Sequence, residues 1–240
     1  MRARSHEFAA ACEWIESLNV PVTVEVGNHD LSYFNPAERF FWPYRRIRRI
    51  KKLVEREIHL DGVTVVPLKT VARAQWRLDW SKGWVTRFAL DKCLNAVDAA
   101  PKHHLVLITA HHPLVEAGRG GQSLTRGGRT ALAELAMRQV GAVLTGHVHD
   151  AFDMVEMSRA GPIRMIGAGT LSQRVRSTPP SFNELRIDGR DIDVRVRNLA
   201  DVATADMQID DVPHDALPPR SPAEPVAPIG AVPPVDPPVH

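Results

Sequence analysis

Three short motifs carrying histidine stand in order along the 240-residue chain: Gly27-Asn28-His29-Asp30, His111-His112-Pro113 and Gly146-His147-Val148-His149. Each follows an apolar run that reads as a buried strand. Imidazole nitrogen and amide oxygen are neutral donors, and such groups at the ends of core strands suit a transition-metal site. The set is poor in carboxylates to balance metal charge. The sequence holds no Asp-x-His motif and no Gly-Asp at the end of a strand.

Taken singly, the motifs differ in weight. Gly27 to Asp30 reads equally well as a turn or as a functional loop. In the functional reading the Asn28 amide oxygen is a metal ligand. His29, beside Asp30, is then a candidate general acid, since a carboxylate orients an imidazole and raises its pKa. In His111-His112, adjacent side chains on extended backbone point opposite ways, so one of the two is expected to face a site. In Gly146-His147-Val148-His149, extended backbone places both rings on one side, and Gly146 permits close approach or an unusual backbone angle. His103 and His104, at the far end of the strand leading to His111, read as surface residues.

The elements that would position these groups emerge from hydrophobic spacing. Phe8, Ala11, Cys12, Ile15 and Leu18 mark a helix with Ser5 as N-cap, ending near Asn19. The alternating valines of Val20 to Val26 mark a strand with one buried face. Leu31 to Tyr44 is aromatic, and residues 45–56 form a basic amphipathic helix. That basic run is a solvated face or a rim attracting anionic substrate. Strands are expected at 62–67, 75–80, 105–108, 142–144, 152–157, 162–167, 182–187 and 191–197, and helices at 91–99 and 130–140. In the latter helix region Leu132, Leu135, Ala136 and Val140 face inward. The body therefore alternates strand and helix, with histidines at the C-terminal ends of strands, where open α/β sheets place ligands.

Composition narrows the class without deciding it. A hydrophobic content of 44% and a charged content of 24% fit an ordinary globular domain, and the net charge of +2 does not demand nucleic acid. Cys12 and Cys93 lie far apart with no CxxC spacing, which reads as two reduced thiols. With no apolar leader and no apolar run near 18 residues, a cytoplasmic location with no membrane contact is expected. The last 30 residues hold 10 of the 19 prolines. The domain is therefore placed at 1–200, with a Pro-rich disordered tail at 201–240.

With all three motifs in order, the chain resembles the calcineurin-like metallophosphoesterase superfamily. Its signatures run Asp-x-His, Gly-Asp-x-x, Gly-Asn-His-[Asp/Glu], a histidine in a His-x-Pro context, and Gly-His-x-His. The likeness covers about residues 1–199 and is greatest to bacterial phosphodiesterase-like members, including the cyclic-nucleotide phosphodiesterase branch. It implies an α/β (α+β) fold: a four-layer β-sandwich of two mixed sheets flanked by helices, here with its first strands missing. It implies hydrolysis of a small phosphoester, a phosphodiester such as a cyclic nucleotide, by hydroxide that two divalent metals (Mn, Fe, Zn or Co) activate. Carried over by motif, Asn28, His111 and His147 resemble ligands of the second metal, and His149 a ligand of the first. His29 resembles the histidine that contacts phosphate or protonates the leaving group, Asp30 its acidic partner, and His112 a non-ligand.

The departure lies at the front. Residues 1–8 resemble the segment that comes after the family's Gly-Asp, so an N-terminal truncation is expected. Two divalent ions about 3.5 Å apart repel by roughly 19 kcal/mol at an effective dielectric of 20. Neutral ligands do not offset that, so at most one tightly bound ion and impaired hydrolysis are expected. The competing reading is a non-catalytic remnant that binds one metal or an anionic partner. Nucleic-acid binding through residues 45–56 ranks third, because the aromatic residues precede the basic run and do not interleave with it.

Overall fold

The structure, a computed structural model, describes residues 5–27, 30, 41–42, 48, 58–71, 82–116, 125–171 and 179–201. Asn28 and His29, the basic run 45–56 apart from Arg48, the strand expected at 75–80 and nearly all of the Pro-rich tail lie outside the described residues. The chain divides into Met1–Val202 and Ala203–His240, and every described helix and strand belongs to the first unit.

Helix α1 spans Ser5–Ser17, followed by β1 at Val63–Pro67 and α2 at Arg87–Ala99. Strand β2 is Leu105–Ala110, α3 is Gly128–Met137 and β3 is Ala142–Thr145. Four more strands complete the order: β4 at Phe152–Ser158, β5 at Gly161–Gly167, β6 at Ser181–Asp188 and β7 at Asp191–Asn198. Helix α2 begins earlier than its hydrophobic spacing indicates because Thr86 caps it, its hydroxyl accepting from the Ala89 amide at 3.2 Å. Leu90, Cys93, Leu94 and Val97, at i, i+3, i+4 and i+7, form its buried face. Burial pushes the Cys93 thiol up to about 11, which makes it an inert core group.

Five strands form one mixed sheet in the order β1-β2-β3-β5-β4. β1, β2, β3 and β5 run parallel, and β4 is antiparallel to β5. The register sets Val66, Ile108, Val143 and Met165 in one row across the four parallel strands, and that face packs under α2 and α3. The opposite face, with Leu105, Leu107, Ala142 and Ile166, packs on Ile192, Leu185 and Val194 of the β6–β7 pair. The layers are thus helices, mixed sheet and second sheet. Among the described residues the second sheet is a two-stranded antiparallel hairpin and not a mixed sheet. Continuous burial makes β2 readable as a central strand, since both of its faces meet cores.

Val20 to Val26 forms no ladder, contrary to the strand expected there. Val24 and Val26 instead join one apolar cluster with Phe8, Cys12 and Ile15 of α1. Alternation records one buried face, and here that face shares a cluster with a helix. Strand β2 offers this segment no edge for pairing, because β1 and β3 flank β2 on both sides. A side-chain bond connects the segment to the sheet, Thr109 Oγ1 donating to Glu25 Oε1 at 3.4 Å.

The two sheets are tied by Arg164 of β5. Its guanidinium donates to Asp153 Oδ1 and Oδ2 of edge strand β4 at 2.8 and 2.6 Å, and to the Ile192 carbonyl of β7 at 2.7 Å. The hydrogen bonds from Arg164 hold the Asp153 carboxyl below the usual carboxylate range. A depressed folded-state pKa contributes stability that is present above the unfolded value and lost as pH falls through the folded one. Arg164→Ala is therefore expected to lower stability at pH 7 by about 1–2 kcal/mol, a modest figure because the pair is partly exposed. The difference from the parent chain should begin to shrink near about pH 4, where the unfolded carboxyl protonates, and shrink further as pH falls through the lower folded value. Urea unfolding at pH 7 and pH 3 checks this, and an equal difference at both pH values would count against the bidentate pair.

Candidate metal centre

Three adjacent parallel strands deliver polar groups from their C-terminal ends. β1 leads through Leu68 to Thr70, β2 runs into His111 and His112, and β3 runs into Gly146 and His147. Backbone bonds lock these exits together. Leu68 N–H donates to the Thr109 carbonyl at 2.8 Å, and Gly146 N–H donates to the His111 carbonyl at 3.2 Å. A crevice at strand ends is where the motif order puts the site, and the chain builds it from β1, β2 and β3 in succession, with α2 and α3 as crossovers.

His111 Nε2 and His147 Nδ1 lie 3.2 Å apart. Two nitrogens held 2.0–2.1 Å from one tetrahedral ion are about 3.3 Å apart, so this pair has the bite of a chelate. His112 joins them, the candidate ligand atoms of all three histidines lying within 4.8 Å of one another. Among the described residues the group comprises three imidazoles and no carboxylate. Such a donor set fits a borderline divalent ion such as zinc or cobalt.

Both members of the His111-His112 pair reach the cluster, which corrects the expectation that one would point away. Side-chain alternation holds within a strand, and β2 ends at Ala110. His112 is 1% exposed, its Nδ1 3.0 Å from Thr70 Oγ1 and its backbone N–H donating to the same oxygen at 3.0 Å. The reading of Gly146-His147-Val148-His149 as extended backbone is also corrected. His147 and His149 adopt left-handed φ of 69° and 64°, while Gly146 does not take a positive φ. Left-handed backbone is uncommon for a residue with a side chain and is concentrated at functional sites. The turn sends His147 into the cluster, and His149 does not join it.

Asp30 closes a turn with Gly27. The Gly27 N–H donates to Asp30 Oδ2 at 2.8 Å, and the Asp30 N–H donates to the Gly27 carbonyl at 3.2 Å. The turn is pressed on the site, since a Cβ at Gly27 would lie 2.9 Å from His111 Cε1. Asn28 and His29, which this turn carries, are outside the described residues. Thr145, the last residue of β3, has a buried hydroxyl with no hydrogen-bond partner among the described residues. His103 is exposed as expected, whereas His104 is half-buried and bonded to Thr64 Oγ1 at 2.9 Å. Sequence reasoning does not single out Thr70. Its signal is the one used for the histidines, a polar residue just beyond the C-terminal end of an apolar strand.

No described helix is long and apolar enough to cross a membrane. No curated protein matches the chain. A family model, calcineurin-like phosphoesterase, matches residues 4–151, more than half of the chain and inclusive of all three histidine motifs. That match, on a mixed sheet backed by helices and a second sheet, with histidines converging at the strand ends, places this chain in the calcineurin-like phosphoesterase family, whose members hydrolyse phosphoesters with divalent metals.

Proposed function

We propose that this chain is a cytoplasmic phosphodiesterase that works with one tightly bound divalent metal per chain. The observation that carries the reading is the 3.2 Å approach of His111 Nε2 to His147 Nδ1 at the ends of adjacent parallel strands. A bound ion supplies phosphate-charge neutralisation and activation of water. His111 and His147 would hold it with the Asn28 amide oxygen as a third donor, and His149 corresponds to a ligand of the family's other metal position. His29 would donate a proton to the leaving oxygen, with Asp30 as its acidic partner. The substrate is a small phosphodiester, with cyclic nucleotides included.

A single ion is favoured over two because the donors clustered among the described residues are imidazoles, with no carboxylate to offset the repulsion of a second ion. The same observation favours a second reading, in which the chain holds one metal without hydrolysing anything. Hydrolysis of bis(p-nitrophenyl) phosphate by metal-stripped protein separates the two. The phosphodiesterase reading expects activity that is restored by Mn, Fe, Zn or Co and lost again with chelator. Calorimetric titration should give one tight site per chain. Two tight sites would overturn the one-metal reading, and one tight site without turnover would leave the binding reading in its place.

A further inference from the structure

The most constrained imidazole of the cluster is the one that the family pattern leaves out. His112 is wedged on every side. Thr70 Oγ1 meets both its backbone N–H and its Nδ1, at 3.0 Å each. A Cβ on Gly83 would lie 2.8 Å from His112 Cβ and Cγ, so that backbone is packed directly on the histidine. Thr125 Oγ1 donates to the Pro113 carbonyl at 2.7 Å and fixes the exit of the turn. The His112 ring centroid is 4.4 Å from that of His147 and 4.7 Å from that of His111.

A buried imidazole is costly unless both nitrogens are used. With Nδ1 engaged by Thr70, Nε2 is the nitrogen that His112 has to offer the other two rings. Histidines that bind metals are oriented in this manner, one ring nitrogen on an outer hydrogen-bond acceptor and the other among the converging donors. We infer that His112 is the third nitrogen ligand of the metal, through Nε2, and that Thr70 is its positioning residue. This inference rests on the one-metal reading of the function.

The hydrogen-bond inventory is consistent. With His112 Nδ1 protonated, Thr70 Oγ1 would accept from both His112 N–H and Nδ1–H with its two lone pairs, leaving the Nε2 lone pair for the ion. Three imidazole donors, with Asn28 as the proposed oxygen donor, make a nitrogen-rich site that prefers zinc or cobalt to magnesium or calcium, which favour oxygen donors.

Cobalt(II) titration of the metal-stripped full chain, read by visible absorption, tests this, because the band reports coordination geometry apart from turnover. His112→Gln, which keeps a polar side chain of similar size, should weaken cobalt binding by at least about a hundredfold and change the band. Thr70→Val should weaken it by about 10–100-fold, and Thr70→Ser should restore it to within about threefold of the parent. Circular dichroism establishes folding, and the Thr70 pair decides the matter if His112→Gln does not fold. Folded His112→Gln and Thr70→Val with the parent's affinity and band would reduce His112 to a packing residue. A parent chain that binds no cobalt overturns both readings. Two ions per parent chain, one of them lost in His112→Gln, would overturn the one-metal reading while keeping His112 as a ligand.

Discussion

His147→Ala is expected to lower metal-stimulated hydrolysis by at least about a hundredfold and to abolish tight metal binding, while folding stability changes by less than about 1 kcal/mol. The chemical loss stems from position. His147 supplies one end of the 3.2 Å nitrogen pair, and no other described histidine ring stands ready to replace it, since His149 is outside the cluster. The small stability effect stems from backbone. His147 is partly exposed and sits at φ 69°, a conformation that any side chain makes costly, so the native residue is retained for something other than folding. His147→Gly should be at least as stable as His147→Ala and equally inactive, because glycine adopts the left-handed region freely. His147→Asn tolerates the same backbone and keeps one donor, so it should retain weak binding. Calorimetric titration, hydrolysis of bis(p-nitrophenyl) phosphate and thermal melting on the four proteins check these expectations together. Full metal affinity in His147→Ala would remove this residue from the site.

How much of the fold and site is legible in sequence depends on what each pattern physically encodes. A run such as Leu105 to Ile108 is readable because burial on both faces of a central strand needs contiguous apolar residues. The start of α2 escapes the periodicity because Phe88 is 80% exposed and Arg87 is a surface residue, so the apolar spacing begins only at Leu90. The capping hydroxyl of Thr86 is the better signal. Val20 to Val26 shows the limit of alternation, which reports a buried face without saying whether a strand or a helix covers it. The histidine motifs identify the correct strand ends, yet the side-chain directions inferred from them fail for one reason. Both His111-His112 and His147-Val148-His149 lie past the last ladder residue, where period-two alternation no longer applies. Thr70 is illegible because a threonine after a strand is commonplace, and only the fold brings it to His112 across 42 residues of sequence.

A glycine outside the histidine motifs bears on the site through the backbone. Gly128→Ala is expected to cost about 2–4 kcal/mol in stability and to weaken metal binding about tenfold, whereas Gly146→Ala should cost less than about 1 kcal/mol. Gly128 is the first residue of α3 and is buried, and a Cβ there would overlap the Leu114 carbonyl oxygen. That obstacle is backbone, so no rotamer change relieves it. Either α3 or the chain at 113–115 must move. α3 is held by Leu132 and Leu135, 2% and 0% exposed, so the lighter turn yields first. The turn is fastened beside the contact by Thr125 Oγ1 on the Pro113 carbonyl at 2.7 Å, and the Thr125 carbonyl in turn accepts from the Gly128 N–H at 3.0 Å. Displacement at Leu114 therefore passes to Pro113 and on to His112 and His111, which hold two of the three clustered nitrogens. A misplacement of about 1 Å in such a site is enough to lose binding. By contrast, a Cβ at Gly146 would find only the His111 carbonyl at 3.9 Å, and its φ is not left-handed, so alanine fits. Urea unfolding and cobalt titration of the two variants measure both quantities. If Gly128→Ala loses stability but keeps the parent's metal affinity, the turn and the imidazoles are mechanically independent, and the packing of α3 on Leu114 serves the fold alone.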